Sequence, residues 1–246
     1  RLIDLMPTRY KLNTPVVDIE RHMEMMLWFE KEAENKNPYP FVLDVRENSQ
    51  GGFWQVSFVG RDRPGLFSDI AGVMALNNIN ILSTNIYTWS NGVAVDIFRV
   101  TRPLDPIHPH ETWEKVNALL KNTFSGKISL SYRLSRKAAP SILSESGKPS
   151  RPPDVVVDNK SSDFFTVVEV FASDRIGLLY LITRTLFELK LDIRIARTGV
   201  KGDQIADVFY VRDLDGQKIE DEEQVKEIKE SLIYQLSMDR HTFRLE

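Results

Sequence analysis

The chain has 246 residues, of which 42% are hydrophobic, 27% charged and 10% aromatic. That balance excludes disorder throughout and leaves room for one large domain or two small ones, each able to bury a core. A net charge of −3 gives no global basic field for nucleic acid or anionic lipid, and the absence of cysteine removes disulfides, thiol nucleophiles and cysteine metal sites. No apolar run is long enough for a membrane helix, and the N-terminus lacks a signal-peptide pattern. These features predict a cytoplasmic protein with neither nucleic acid nor membrane as partner. The first residue is Arg1, which predicts a piece of a longer chain.

In chain order, Thr14-Pro15 is the first helix-start signal. Val16, Ile19, Met23, Met26 and Leu27 then make an apolar stripe on a helix ending near residues 35–38. The Met23, Met25, Met26 cluster reads as core or interface packing. Next comes an internal repeat. Arg61-Asp62-Arg63-Pro64-Gly65-Leu66-Phe67 corresponds to Ser173-Asp174-Arg175-Ile176-Gly177-Leu178-Leu179, at an offset of 112 residues. Ile70 then matches Ile182, Asn80 matches Asp192, and Asp96-Ile97-Phe98 matches Asp207-Val208-Phe209.

Both units share one grammar. A β-rich run (53–59, 165–171) ends at the Asp-Arg loop, and an apolar stripe at helical spacing follows (Leu66, Phe67, Ile70, Val73, Met74; Leu178, Leu179, Ile182, Leu186). Pro64 suits a first helical turn. Strands are predicted at 79–88 and 93–100, joined by the tight turn Asn91-Gly92, and at 191–200 and 205–211, joined by Lys201-Gly202-Asp203. A second helix carries Trp113, Val116, Leu119 and Leu120 in one unit and Val225, Ile228, Leu232 and Leu236 in the other. Residues 128–134 and 242–245 are predicted to close each unit as strands, and 41–45 and 154–157 to precede it as added edge strands. The order βαββαβ, twice, predicts an α+β protein of two ferredoxin-like units. The stretch 137–153, rich in Ser, Pro, Lys and Gly, reads as a linker.

The loop Asp62-Arg63-Pro64-Gly65-Leu66, leading through a helix to Asn78-Ile79-Asn80-Ile81, resembles the ACT domain, a regulatory ferredoxin-like module that binds amino acids. Two such units in tandem, with Val93–Phe98 in one and Ala206–Val211 in the other, resemble the C-terminal region of the bifunctional uridylyltransferase/uridylyl-removing enzymes of the PII nitrogen-regulatory system. Met6-Pro7-Thr8-Arg9-Tyr10, followed by Ile19-Glu20-Arg21-His22, resembles the segment that joins the hydrolase domain of those enzymes to their ACT pair. The second loop departs from the family pattern at Ile176, where proline is usual. The resemblance implies a helical connector over 1–38, a first ACT domain over 39–137, a linker over 138–153 and a second ACT domain over 154–246. It also implies glutamine as effector, no resident cofactor, and the nucleotidyltransferase and hydrolase domains of a parent chain as partners, with PII reached indirectly. Neither the Gly-Ser and Asp-x-Asp pattern of a nucleotidyltransferase nor the His-Asp pair of the hydrolase occurs, so no catalysis is expected of this chain alone. The alternative is a free-standing tandem ACT protein that binds an amino acid or serves as a scaffold.

The site residues follow from the repeat, and several carry two readings. Asp62 and Asp174 either accept the ammonium of an amino acid or cap a helix. Gly65 and Gly177, with Leu66 and Leu178 beside them, either let a ligand reach backbone N–H groups at a helix N-terminus or serve turn geometry alone. Asn80 and Asp192 open the second strand of each unit and are expected to complete the pocket of their own unit, Asn80 with Asp62 and Asp192 with Asp174. On that pairing the first unit is the better site. Arg63 and Arg175 either steer an anionic ligand or are surface charges. Asp96 and Asp207 read as structural, and His108-Pro109-His110 as a helix entry rather than a metal site. The two units are expected to pack through sheet edges or faces, with the ligand at their interface, either within one chain or across a homodimer.

Overall fold

The computed structural model describes residues 2–35, 37–138, 151–201 and 204–238. Helices α1 (Leu2–Leu5), α2 (Thr8–Asn13) and α3 (Val16–Glu34) come first. The first repeat then runs β1 (Phe41–Asn48), β2 (Phe53–Arg61), α4 (Leu66–Leu76), β3 (Ile81–Asn85), β4 (Val93–Val100), α5 (Pro109–Phe124) and α6 (Leu130–Ala138). The second runs β5 (Asp154–Asp158), β6 (Thr166–Ala172), α7 (Leu178–Glu188), β7 (Asp192–Arg197), β8 (Val200–Lys201), β9 (Gln204–Arg212) and α8 (Glu222–Met238).

The strands form one sheet in the order β1-β2-β4-β3-β7-β9-β6-β5, with β8 paired to β9 beside that path. The second half therefore repeats the first in reverse, and the halves meet edge to edge where β3 pairs antiparallel with β7. Thr84 faces Ala196, its own repeat equivalent, with Ser83 opposite Arg197 and Asn85 opposite Ile195. That register places a pseudo-two-fold axis through the seam. The seam leaves neither β3 nor β7 as an open edge, which would otherwise present unpaired backbone groups.

The leading segments form the edge strands expected of them, and among the described residues of the first unit the closing strand is missing. β1 pairs along β2, and β5 along β6, so the leading segments complete the sheets. β2 already has β4 on its other side, and no edge is left for a trailing strand. Residues 128–134, expected as a closing strand, instead lead into α6, where Leu130 and Leu134 are buried one helical turn apart. The strand expected at 242–245 lies outside the described residues, as do 202 and 203 of the predicted second turn and most of the predicted linker. Pro64 precedes α4 rather than opening it, because the helix begins at Leu66.

Helices α4 and α7 lie side by side over the seam, on the same sheet face as α5, α6 and α8. The close approach depends on Gly72, where a Cβ would stand 2.9 Å from the Tyr180 ring and 3.1 Å from Leu130. One apolar core runs through both units beneath these helices, from Val56, Phe58 and Phe98 to Val168, Phe209 and Val211.

On the other face of the first unit, α1–α3 build a second core with Val59, Tyr87, Trp89, Val93 and Val95. Arg21 clamps α3 to β1 through a two-pronged ion pair with Asp44 at 2.6 and 2.7 Å. The buried stripe of α3 is rotated from the expected one. Val16 and Leu27 are exposed, whereas His22, Met25, Met26 and Phe29 are buried. His22 can lie inside because both ring nitrogens are satisfied, one by the Tyr10 hydroxyl at 2.7 Å and the other by that of Ser57 at 2.8 Å.

Burial pushes the His22 imidazole down to about 4 from an ordinary 6.5. The unfolded chain therefore binds a proton that the folded chain refuses, and the stability contributed by neutral His22 is lost as pH falls from about 6.5 toward about 4. A loss of about 2–3 kcal/mol is expected over that window. Urea unfolding between pH 7 and pH 4 checks it: the profile of His22→Gln should be flatter, and parallel profiles would contradict the assignment.

Candidate functional site

Each repeat presents its Asp-Arg loop where a central strand gives way to a helix. Gly65 and Gly177 stand at the N-cap positions of α4 and α7 with φ of +78° and +80°. A Cβ there would meet nothing closer than 3.6 Å at Gly65 and 3.5 Å at Gly177, so left-handed backbone rather than crowding requires glycine. The first N–H of each helix closes a turn within the loop, Leu66 to the Arg63 carbonyl at 3.2 Å and Leu178 to the Arg175 carbonyl at 3.1 Å. Asp62 does not cap α4; its carboxylate accepts the Thr88 hydroxyl at 2.5 Å. Neither helix has a side-chain cap, which removes the capping reading of Asp62 and Asp174. Leu66 and Leu178 are buried and anchor the loop ends in the core.

The expected partnership within each unit is not the one the fold makes. β2 and β3 both pair antiparallel with β4, so they run parallel to each other. Asp62 follows the end of β2, while Asn80 precedes the start of β3 at the opposite end of the sheet. The seam brings in the other unit instead. Asp62, Arg63, Gly65 and Leu66 line a cavity of about 270 Å³ together with Asp192. Asp174, Arg175, Gly177 and Leu178 line a second, of about 690 Å³, together with Asn80. All ten predicted residues thus gather at two symmetry-related cavities, with Asn80 and Asp192 exchanged between units.

Sequence reasoning missed the floor of each cavity. Asp96 lines the first and is 1% exposed; Asp207 lines the second and is 2% exposed. Burial raises both acids. Asp96, close to the charge of Asp62, lies well above the ordinary carboxylate range, and Asp207, close to that of Asp174, is pushed up to about 7. A signal existed: each aspartate is two residues before a buried phenylalanine, Phe98 or Phe209, and so points to the helix-covered face.

The cavities differ in how their acids are satisfied. In the first, Asp62 takes the Thr88 hydroxyl, Asp192 pairs with Arg194, and Asp96 lies 3.4 Å from the Tyr87 N–H. Arg63 is held by Asp69 at 2.5 Å and lies over the Phe124 ring. In the second, one carboxylate oxygen of Asp207 has no hydrogen-bond partner. Arg175 is half-buried, and its guanidinium reaches the Leu236 carbonyl at 3.5 Å. Among the described residues no group of three His, Cys, Asp or Glu could hold a metal; Pro109 and His110 open α5, with His108 at its N-cap position. No described helix is long and apolar enough to cross a membrane.

Two ferredoxin-like units joined edge to edge, with glycine-turned loops facing each other across the join, define an α+β tandem of the ACT type. A family described as "ACR9-like, ACT-like domain" matches residues 154–242. The chain matches the C-terminal ACT region of the bifunctional uridylyltransferase/uridylyl-removing enzymes. It is 38% identical to that of Rhodospirillum rubrum over 192 residues, which is 78% of this chain and 20% of the relative. It is 30% identical to that of Azospirillum brasilense (89% of this chain, 25% of the relative) and 31% identical to that of Gluconobacter oxydans (96% and 25%). The chain therefore spans about a fifth to a quarter of the length of the curated relatives it matches.

Proposed function

We propose that this chain is the amino-acid-sensing region of a uridylyltransferase/uridylyl-removing enzyme, with glutamine as effector. In this reading residues 1–38 connect an ACT pair, 39–137 and 154–246, to upstream catalytic domains whose balance between uridylylation and deuridylylation of PII it controls. The observation that carries the proposal is the pair of seam cavities, each drawing its residues from both units. A free amino acid is a zwitterion and needs an acceptor for its ammonium and donors for its carboxylate. The loop acids can accept, and the N–H groups at the starts of α4 and α7 can donate.

A ligand spanning both units controls partners only if it binds two arrangements of them unequally. The connector is placed to follow such a change. Arg9 of α2 reaches the Arg194 carbonyl at 3.4 Å and lies over the rings of Tyr87 and Phe165, touching both units. A coupling of about 1–3 kcal/mol suffices for regulation of this kind.

Calorimetric titration of the chain with a panel of amino acids tests the proposal: saturable heat with L-glutamine is expected, and no heat with any amino acid would overturn it. The chain incubated with UTP, Mg²⁺ and PII, or with uridylylated PII, is expected to give no turnover above blank. Turnover that copurifies with the chain would place catalysis within these residues.

A further inference from the structure

We propose that the two seam cavities are unequal, and that the one between the second loop and Asn80 is the amino-acid site, with Asp207 at its floor receiving the ligand's ammonium. The proposal rests on the amino-acid-sensing reading and specifies which residues perform it. In the first cavity each ionisable side chain has a protein partner: Asp62 has Thr88, Asp192 has Arg194, Arg63 has Asp69, and Asp96 has the Tyr87 N–H at 3.4 Å. Its loop acid Asp62 and its strand acid Asp192 would also repel an incoming carboxylate. Its volume is less than half that of the second.

The second cavity differs at its floor and at its strand residue, while its Arg175 has a protein partner in the Leu236 carbonyl. Asp207 is 2% exposed, lines the cavity and keeps one carboxylate oxygen without a partner. A buried acceptor left unpaired is costly, and a ligand ammonium seated against it removes that cost while forming a charge-assisted bond. At the position equivalent to Asp192 stands Asn80, a neutral amide that both donates and accepts. The ligand carboxylate then faces Arg175, Asn80 and the N–H groups at the start of α7, with no second acid on the Asn80 side. The exchange of strands across the seam reverses the preference drawn from the loops alone. The fuller loop, with Pro64, serves the cavity already closed by internal pairs, and Asn80 serves the other.

The titratable groups lining the second cavity, besides Asp207, are Asp174 and Arg175. The test uses the whole chain with two probes, L-glutamine and its deaminated analogue 4-carbamoylbutanoate. Wild type is expected to bind L-glutamine at least tenfold more tightly than the analogue. Asp207→Asn should lose at least tenfold in glutamine affinity and most of the discrimination between the probes, since only the glutamine ammonium uses Asp207. Asp96→Asn should change glutamine affinity less than threefold, and Asn80→Asp should weaken it, by importing the acid of the first cavity. Wild-type binding of glutamine with unchanged discrimination in Asp207→Asn overturns this assignment and leaves the sensing reading standing. Loss in Asp96→Asn with none in Asp207→Asn assigns the ligand to the first cavity and likewise overturns it. Absence of binding by wild type overturns both.

Discussion

Trp89→Ala is expected to destabilise the protein by about 3–5 kcal/mol, the usual cost of removing a large buried aromatic side chain. Trp89 is 1% exposed and lies in the turn between β3 and β4, where its N–H donates to the Val93 carbonyl at 2.8 Å. Its indole packs edge-on against Tyr10 of α2, with ring centroids 5.5 Å apart, and Tyr10 in turn meets Tyr87 at 5.1 Å. The side chain therefore joins the connector helices to the sheet, and its removal opens a cavity at that joint. Its ring nitrogen has no partner, so truncation also removes an unsatisfied donor, which places the cost toward the lower end of the range. Urea unfolding measures the loss, with Val17→Ala as a control because Val17 is 63% exposed on the outer side of α3. A Trp89→Ala loss no larger than the control would show that the second core does not hold the connector in place.

Asp207→Asn is expected to stabilise the free protein above pH 7 by about 2–4 kcal/mol. The carboxyl of Asp207 rises from an ordinary 3.8 to about 7 in the folded chain, because burial disfavours the charge and Asp174 repels it. Between those values the folded state holds a proton that the unfolded state has released. Wild-type stability contributed by this group is therefore complete below about pH 4 and is lost as pH rises to about 7. Asparagine has no such titration, so the advantage of the variant should be absent at low pH and grow across the window to a plateau near pH 8. Parallel stability profiles for the two proteins would show that Asp207 titrates as an ordinary carboxylate. This slope is opposite to that of His22, which loses stability toward acid, and the single substitutions separate the two. If Asp207 receives the ammonium of a ligand, the variant gains stability while losing affinity, the trade expected where a strained group serves binding.

The local elements were legible in the sequence because each rests on a short-range rule. The stripe Leu66, Ile70, Val73, Met74 has helical period and forms α4. Asn91-Gly92 predicts a turn into a strand over 93–100, and β4 occupies that span with Gly92 at φ +74°. Gly65 and Gly177 were marked by the repeat, and both take the left-handed conformation that favours glycine. Two elements differ from what short-range rules predict. Leu130 and Leu134 satisfy alternation and a helical turn alike, and the edge of β2 already taken by β1 decided for the helix. The buried stripe of α3 turns toward His22, which sequence alone reads as polar, because Tyr10 and Ser57, distant in sequence, supply its hydrogen bonds.

The repeat, the ferredoxin-like character of each unit and the residue types gathered at each loop are all written in the chain, since they depend on spacing within a few tens of residues. Which residues face one another depends instead on how the two units join. β3 and β7 are alike in exposing an edge, and either could have stayed open, paired with another copy or paired with the other. The pairing of Thr84 with Ala196 joins them within one chain, and because β3 starts at the end of the sheet remote from Asp62, that join gives Asp192 to the first loop and Asn80 to the second. Asp96 and Asp207 become cavity floors for the same reason: alternation turns them toward the helices, and the loops brought over them by the seam turn a buried strand position into the base of a cavity.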